Sequence, residues 1–438
     1  MQIKKSKYLV VISLDALNAK DLDIIKGLPN FKSYFEKASY AKRVRSIYPS
    51  LTYPCHVSIV TGVYPDKHGV YSNEFNQPGV HEQEWFWYSS YIKVPTLYDL
   101  AKKSQMRVGA LFWPVMGKAN IDYNITEIFP TKKREGLILK VLKASTPIFA
   151  LDSFFRYGKL LNGKKQPNLD NFTAKTAEYL IKRKKPNLSL IHLTDLDSFR
   201  HMYGTFSKES EKALLRADER IGEIVKSARE AGIYEDTTFV ILGDHGFLDV
   251  KYRINLNTAF RKEGLLEVDE HGNLLSWQAY CNYCDGSAQI YLKNREDKAL
   301  KKKVCSILKA FAQDESNGIE KIYTREEFLK KRIDGPFDFM VEAKEGYYFS
   351  KDWDKEELVT LIDAKDLTKS EGERHVATHG YDPMKLNYNT FFMAFGASIK
   401  EGVVLEEINL VDIGPTLGKI LGINMQNTDG RVIKDILK

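Results

Sequence analysis

Four near-continuous apolar runs stand out along the chain: Tyr8–Leu14, residues 187–193 (NLSLIHL), Thr237–Leu242 (TTFVIL) and residues 389–395 (NTFFMAF). Runs of this length with no alternation predict strands covered on both faces, as in parallel sheets. Between them the apolar spacing becomes helical. Residues 207–231 place Leu214, Ala217, Ile221, Ile224, Val225 and Ala228 on one face, with Gly232 just past the end. Leu410–Leu421 is a second such stretch. Strands alternating with long helices predict an α/β fold, a mostly parallel central sheet flanked by helices on both faces.

Polar residues fall where the buried runs stop. Asp15 ends the first run, Asp195 and Asp197 follow the second, and Gly243-Asp244-His245-Gly246 follows the third. In open parallel sheets, ligands bind beyond the carboxyl ends of the strands. Asp15, Asp197 and Asp244 are therefore expected to converge on one edge. Thr52 is expected beside them, as the N-cap of a helical pattern (Val57, Ile59, Val60) that stops at Gly62, with Pro54 in its first turn. The first-turn N–H groups and the helix dipole would then favour an anion there.

Residues 254–373 are more mixed, and hold a lone Cys281-x-x-Cys284 and the segment GSAQIYLK. They are expected to form an inserted subdomain within a single catalytic domain spanning residues 1–438. Residues 121–168 are expected to form a smaller insertion or lid. Neither an internal repeat nor a low-complexity tract interrupts the pattern.

Composition narrows the classes. With 438 residues and 43% hydrophobic positions, the chain can bury a sizeable core. Net charge is 65 − 58 = +7, compatible with anionic substrates. The basic residues are spread out, and clusters at 182–185 and 301–303 read as solvated helix faces. A nucleic-acid binder would carry a dense basic stripe, so no stable nucleic-acid partner is expected. No apolar run is long enough to span a bilayer. The apolar stretch at the N-terminus meets Asp15 and lacks a small-residue cleavage site, which makes it a strand and not a leader. A cytoplasmic protein without a membrane partner is expected. Cys55, Cys281, Cys284 and Cys305 lack the spacing of a structural zinc site and are expected to be reduced thiols.

The candidate chemistry is a set of separate signals. Asp197 and His201 are four apart, on one face of a helix. Asp244-His245 sits in a Gly-flanked turn after a strand, and His379-Gly380 lies in THGYDP ahead of the last strand. Three Asp, three His and one Thr suit zinc, and two ions could share them. Asp195 competes with Asp197, although the four-residue step to His201 favours Asp197. His375 stands four before His379 as a rival.

The motifs together resemble the nucleotide pyrophosphatase/phosphodiesterase family of the alkaline phosphatase superfamily. Its nucleophile motif is matched by Thr52-Tyr53-Pro54-Cys55-His56, followed by Ser58-Ile59-Val60-Thr61-Gly62-Val63-Tyr64-Pro65-Asp66-Lys67-His68-Gly69. Residues 197–204 (DSFRHMYG), Gly243-Asp244-His245-Gly246, Phe112-Trp113-Pro114 and His379-Gly380-Tyr381 match further family segments in the same order. Cys55 departs from the family pattern, which has Asn there; Cys55 also lacks the C-x-P-x-R context of a sulfatase nucleophile.

The resemblance implies an alkaline-phosphatase-like sheet and two zinc ions. One would be held by Asp197, His201 and His379. The other would be held by Asp15, Asp244, His245 and the Thr52 oxygen. Thr52 would be the nucleophile, passing through a phospho-threonine, and Asn73 would donate to a phosphoryl oxygen. Tyr53 would stack on a nucleobase or simply wall the pocket. The implied substrate is a small phosphodiester or pyrophosphate, nucleotide-like; a phosphonate hydrolase or a phosphomonoesterase would use the same frame. Two Zn²⁺ carry +4, while Asp15, Asp197, Asp244 and a Thr52 alkoxide carry −4. A nearly neutral site leans toward singly charged diesters.

Overall fold

Strand β1 (Tyr8–Leu14) is buried along its whole length and feeds two cores at once. Val10, Ile12 and Leu14 point into the apolar cluster on one face of the sheet. Leu9 and Val11 point into the cluster on the other. Alternation between two dry faces is why its sequence shows no polar period.

The computed structural model describes residues 4–80, 82–131, 136–362 and 375–438. Its main sheet also contains β2 (Ser39–Arg45), β3 (Val108–Leu111), β4 (Tyr123–Ile125), β5 (Leu188–Leu193) and β6 (Thr237–Leu242), with two late strands at Thr390–Gly396 and Val404–Asn409. β1 lies between β5 and β6, parallel to both. β3 pairs in parallel with β5 and β4. The strand Thr390–Gly396 departs from the parallel pattern: it runs antiparallel between β6 and β2. Val404–Asn409 then pairs with β2 in parallel at the sheet's edge. The fold is α/β, with a mostly parallel central sheet.

The helix Lys208–Glu230 covers one face with Leu214, Ala217, Ile221, Ile224 and Val225. Ser207 caps it by accepting from the Ser210 N–H, and Gly232 ends it at φ +69°. On the other face, the helix Leu410–Leu421 starts at a capping box formed by Asn409 and Asp412. It buries Leu410, Ile413, Leu417 and Ile420 against the helix Thr52–Thr61. Each such side chain contributes about 1.5–3 kcal/mol on burial.

Within residues 254–373, four antiparallel strands (Ala279–Cys284, Ser287–Leu292, Phe339–Ala343, Ile319–Thr324) form a second sheet with its own apolar cluster. The helix Lys298–Gln313 packs in that cluster through Leu300, Val304, Leu308 and Phe311. Residues 363–373 of the expected subdomain lie outside the described residues. So do residues 132–135 of the expected lid; the rest of it comprises β4 and the helices Leu137–Ala144 and Pro147–Tyr157. Among the described residues no helix is long and apolar enough to cross a membrane.

Candidate active site

The helix Thr52–Thr61 is buried at all ten positions. Its N-cap is Leu51, in extended backbone, and Thr52 is the first helical residue. Thr52 therefore does not cap the helix, contrary to the expectation from sequence. Its Oγ1 instead lies 3.3 Å from His245 Nε2. One turn on, His56 Nδ1–H donates to the Thr52 carbonyl at 2.7 Å, and His56 Nε2 accepts from Ser13 Oγ at 2.9 Å. Burial, then the positive field of His192, holds His56 well below the usual imidazole range, so it is neutral. The Tyr53 N–H donates to Asn73 Oδ1 at 2.9 Å. That amide is thus already satisfied and does not face an anion. The Asn73 Nδ2 is left as the donor of this pair.

Three strand ends supply the acids. Asp15 follows β1 and is 3% exposed; Asp244 follows β6 and is fully buried. The Ala16 N–H donates to Asp244 Oδ1 at 3.1 Å, tying the two strand ends together. Asp197 lies in the first turn of the helix Asp195–Tyr203, which starts just after β5. Its neighbour Asp195 turns away: Arg216 and Arg220 each donate to Asp195 Oδ2 at 2.7 Å. The two carboxylates left open by the sequence are separated by this ion pair.

Each of three histidines uses its Nδ1 on the backbone. His201 Nδ1–H donates to the Ala377 carbonyl at 2.9 Å, His379 Nδ1–H to Ser50 at 3.1 Å, and His245 Nδ1–H to Gly246 at 3.3 Å. The Nε2 lone pairs are left facing inward, the arrangement metal-binding imidazoles adopt. His375 does not join them. Its Nε2 lies 2.9 Å from Thr378 Oγ1 and 3.3 Å from Asp285, and its ring stacks on Tyr348.

The inward-facing atoms are crowded without being bonded to one another. Oδ1 of Asp15, Oδ1 of Asp197 and Oδ2 of Asp244 are buried and accept no hydrogen bond. Yet they lie 3.2, 3.4 and 3.3 Å from His245 Nε2, His201 Nε2 and His245 Nε2 respectively. Lone pairs of acids and imidazoles converging on a common point fit a divalent cation, and leave these oxygens unsatisfied without one. Two ligand groups result: Asp197, His201 and His379, and Asp15, Asp197 and His245, with the donor atoms of each within 4.8 Å of one another. Asp197 falls in both. Asp244 Oδ2 reaches the second group through His245 and lies 3.5 Å from His56 Nδ1.

The same crowding sets the proton affinities. Burial and the charge of Asp15 raise Asp244 to about 7. Burial works against charge on His245, but Asp244 and Asp15 outweigh it and push the imidazole up to about 9; the same negative field would hold a cation at Nε2 in place of that proton. His379, stacked on His245 at 3.9 Å, is held down to about 3 by burial and by that neighbour's charge.

Two groups in the site carry no signal in the sequence. His192 lies inside the apolar run of β5, hydrogen-bonded to Asp15, and is pushed up to about 9 because that carboxylate overcomes the cost of its burial. A strand histidine of this kind reads as one more buried position. Glu127 lies in the cleft wall beside the Tyr53 ring, with a buried, unpartnered Oε2. Burial raises its carboxyl to about 7 against the opposing pull of His192.

These residues open on a cleft of about 2140 Å³, lined by Asp15, Thr52, Asn73, Asp197, His201 and His379. Ordinary ligand pockets are roughly 300–1,000 Å³. Tyr53 is fully buried and held edge-on by Trp85, with ring centroids 5.2 Å apart. Trp85 and Phe129 form an aromatic pair further along the wall. Cys55, Cys281 and Cys284 are free and buried, and burial raises all three thiols. Among the described residues, none of these cysteines belongs to a metal-binding group.

The family model described as type I phosphodiesterase/nucleotide pyrophosphatase matches residues 9–382. Human ectonucleotide pyrophosphatase/phosphodiesterase family member 1 is 25% identical over 437 residues, covering 96% of this chain and 40% of that protein. The chain therefore spans about two fifths of the length of that relative. Bovine bis(5'-adenosyl)-triphosphatase is 21% identical over 431 residues, covering 96% of this chain and 80% of that protein. Among solved structures, murine ectonucleotide pyrophosphatase/phosphodiesterase 5 superposes with a TM-score of 0.68 at 18% identity, covering 99% of this chain and 100% of that one. An inactive variant of the murine protein, in complex with AMP, has the same TM-score at 17% identity. The α/β sheet described above is the fold of that protein.

Proposed function

The chain belongs to the type I phosphodiesterase/nucleotide pyrophosphatase family, and we propose that it hydrolyses phosphodiester or pyrophosphate bonds of nucleotide-like substrates, with Thr52 as nucleophile. The observation that carries this is the convergence of three unsatisfied carboxylate oxygens and the inward Nε2 atoms on the face where Thr52 Oγ1 stands. The bovine relative's name as a bis(5'-adenosyl)-triphosphatase and the AMP bound to the murine variant favour a nucleotide-like ligand.

Two divalent ions, zinc by donor type, would be held by Asp197, His201 and His379 and by Asp15, Asp244, His245 and the Thr52 oxygen, and would supply the Lewis acidity that makes a hydroxyl nucleophilic near neutral pH. Thr52 Oγ1 forms a bond to phosphorus in line with the leaving oxygen, which departs with the electron pair of its P–O bond. The hydroxyl proton is lost to solvent, and the leaving group takes one up. Water then attacks the phospho-threonine and restores the hydroxyl. The Asn73 Nδ2 donates to a non-bridging oxygen, held in place by the Tyr53 N–H on its other end.

Charge supports the diester preference. Two Zn²⁺ would be balanced by Asp15, Asp197, Asp244 and a Thr52 alkoxide. A dianionic monoester gains little from such a balance.

The test is turnover of p-nitrophenyl-TMP by the chelated protein, with zinc or manganese added back, beside Thr52→Ala. Loss of at least about a thousandfold in both the chelated protein and the variant is expected, with recovery on metal addition only for the unaltered chain. Diesters should outpace monoesters and phosphonates. Turnover that survives both chelation and Thr52→Ala would overturn the mechanism.

A further inference from the structure

The helices Leu137–Ala144 and Pro147–Tyr157 carry apolar side chains on two sides. Their inner sides bury Val141, Ala144, Phe149 and Ala150. On the outer side of the second helix, Ile148, Leu151 and Phe155 are spaced as one helical stripe and are 83%, 51% and 91% exposed. Leu137, Ile138 and Leu139 add three more exposed apolar side chains from the first helix. Of the sixteen exposed large hydrophobic residues among those described, six fall in this one hairpin, including the two most exposed. A helix apolar on both faces is not a surface element meant for water.

Charge says what covers it. Residues 136–165 hold six basic side chains (Lys140, Lys143, Arg156, Lys159, Lys164, Lys165) and one acid, Asp152. Arg156 is paired with that acid. Lys143, Lys159, Lys164 and Lys165 are exposed, and none makes an ion pair among the described residues. Large apolar side chains rimmed by unpaired lysines are the chemistry of a helix lying in an anionic lipid interface, its apolar side sunk roughly 5–10 Å below the headgroups. The patch is also continuous with the cleft. Leu137, Ile138, Leu151 and Phe155 line the same cavity as Thr52 and Asp197.

We propose that this hairpin is a docking surface for an anionic phospholipid bilayer, which brings the mouth of the cleft to the membrane. No spanning segment is needed. That no helix among the described residues is long and apolar enough to cross a membrane therefore does not argue against a membrane partner.

The test is flotation of the full chain with phosphatidylcholine vesicles and with vesicles containing about 30% phosphatidylglycerol. Binding to the anionic vesicles alone is expected, falling at least about fivefold between about 0.05 M and about 0.5 M salt. Ile148→Asp, Phe155→Asp and the double change Lys159→Glu with Lys164→Glu should each lower the bound fraction by about fivefold or more, with an unchanged thermal midpoint. Failure of the unaltered chain to float, equal flotation with both lipid compositions, or equal flotation of the variants overturns the proposal. So does a concentration-dependent dimer that Phe155→Asp abolishes, since the patch would then be an interface between copies.

Discussion

His192 Nε2–H donates to Asp15 Oδ2 across 3.1 Å, while its Nδ1–H faces the Phe112 carbonyl at the same distance. With an acceptor on each side, the ring holds two protons and a positive charge. It fixes Asp15 from the side away from the cation cluster and neutralises part of its charge. Replacing His192 by Asn is expected to lower kcat/KM and metal retention by about 10–100-fold while leaving the thermal midpoint nearly unchanged. Metal content by elemental analysis and turnover of a nucleotide diester read the two effects. Wild-type values for both would remove His192 from this role.

The two acids at the start of the helix Asp195–Tyr203 should fail in different ways. Asp195 is buried with Arg216 and Arg220, so Asp195→Asn takes a charge partner from both and leaves Arg220, 4% exposed, with Asp170 at 3.6 Å. A loss of about 1.5–3 kcal/mol in denaturant unfolding is expected. Asp197→Asn should keep stability within about 1 kcal/mol and lose bound metal and turnover instead. The reverse pattern would mean that the two positions have been misassigned.

Gly380 follows His379 at φ +80°, and a Cβ there would stand 1.9 Å from the Cys284 carbonyl oxygen. Gly380→Ala must therefore push the two segments apart, at a cost of about 2–4 kcal/mol. Because the Gly380 N–H and His379 Nδ1–H both donate to the Ser50 carbonyl, the His379 ring should shift with it. A lower melting temperature together with weaker metal retention is the expected outcome; a melting temperature equal to wild type would contradict the close approach.

His68 has no place for a second proton. Its Nδ1 accepts from the Val70 N–H at 3.2 Å, and its Nε2–H donates to Ser58 Oγ at 3.0 Å. Burial lowers its pKa from 6.5 to about 3, with Asp429 pulling weakly the other way. The unfolded chain thus binds the proton first. The stability His68 contributes is fully present above about pH 6.5 and is lost as pH falls toward about 3, at about 1.4 kcal/mol per pH unit. Urea midpoints of wild type and His68→Gln should draw closer as pH is lowered from 7.5 to 4.5. A constant gap would show that His68 keeps its ordinary affinity.

Much of the fold was legible because burial on both faces leaves unbroken apolar runs. β1, β5 and β6 announce themselves in this way, as do the helices Lys208–Glu230 and Leu410–Leu421. The acids at the strand ends were legible for the complementary reason: they are the first polar residues after a dry run. Direction was not legible. The run at Thr390–Gly396 is as apolar as its parallel neighbours but runs antiparallel. β2, β3 and β4 were missed because one is full of charge and the others are short. Thr52 looked like a cap because sequence cannot show that Leu51 takes that position. His192 and Glu127 matter through partners far away in sequence, and no local spacing could reveal them. Spacing did favour Asp197 over Asp195, but the reason it stands free, two arginines on the following helix, lies in the packing.

β2 has a second peculiarity. Both of its neighbours, Thr390–Gly396 and Val404–Asn409, lie more than 340 residues downstream. On the ribosome, this strand must therefore wait for the long stretch up to Thr390 to be translated before anything pairs with it. Its own side chains guard it meanwhile: Lys42, Arg43 and Arg45 make a poor template for a neighbouring nascent chain. When the last strand emerges, Glu406 and Glu407 meet those same three cations. The charges that delay premature association become the latch that closes the edge.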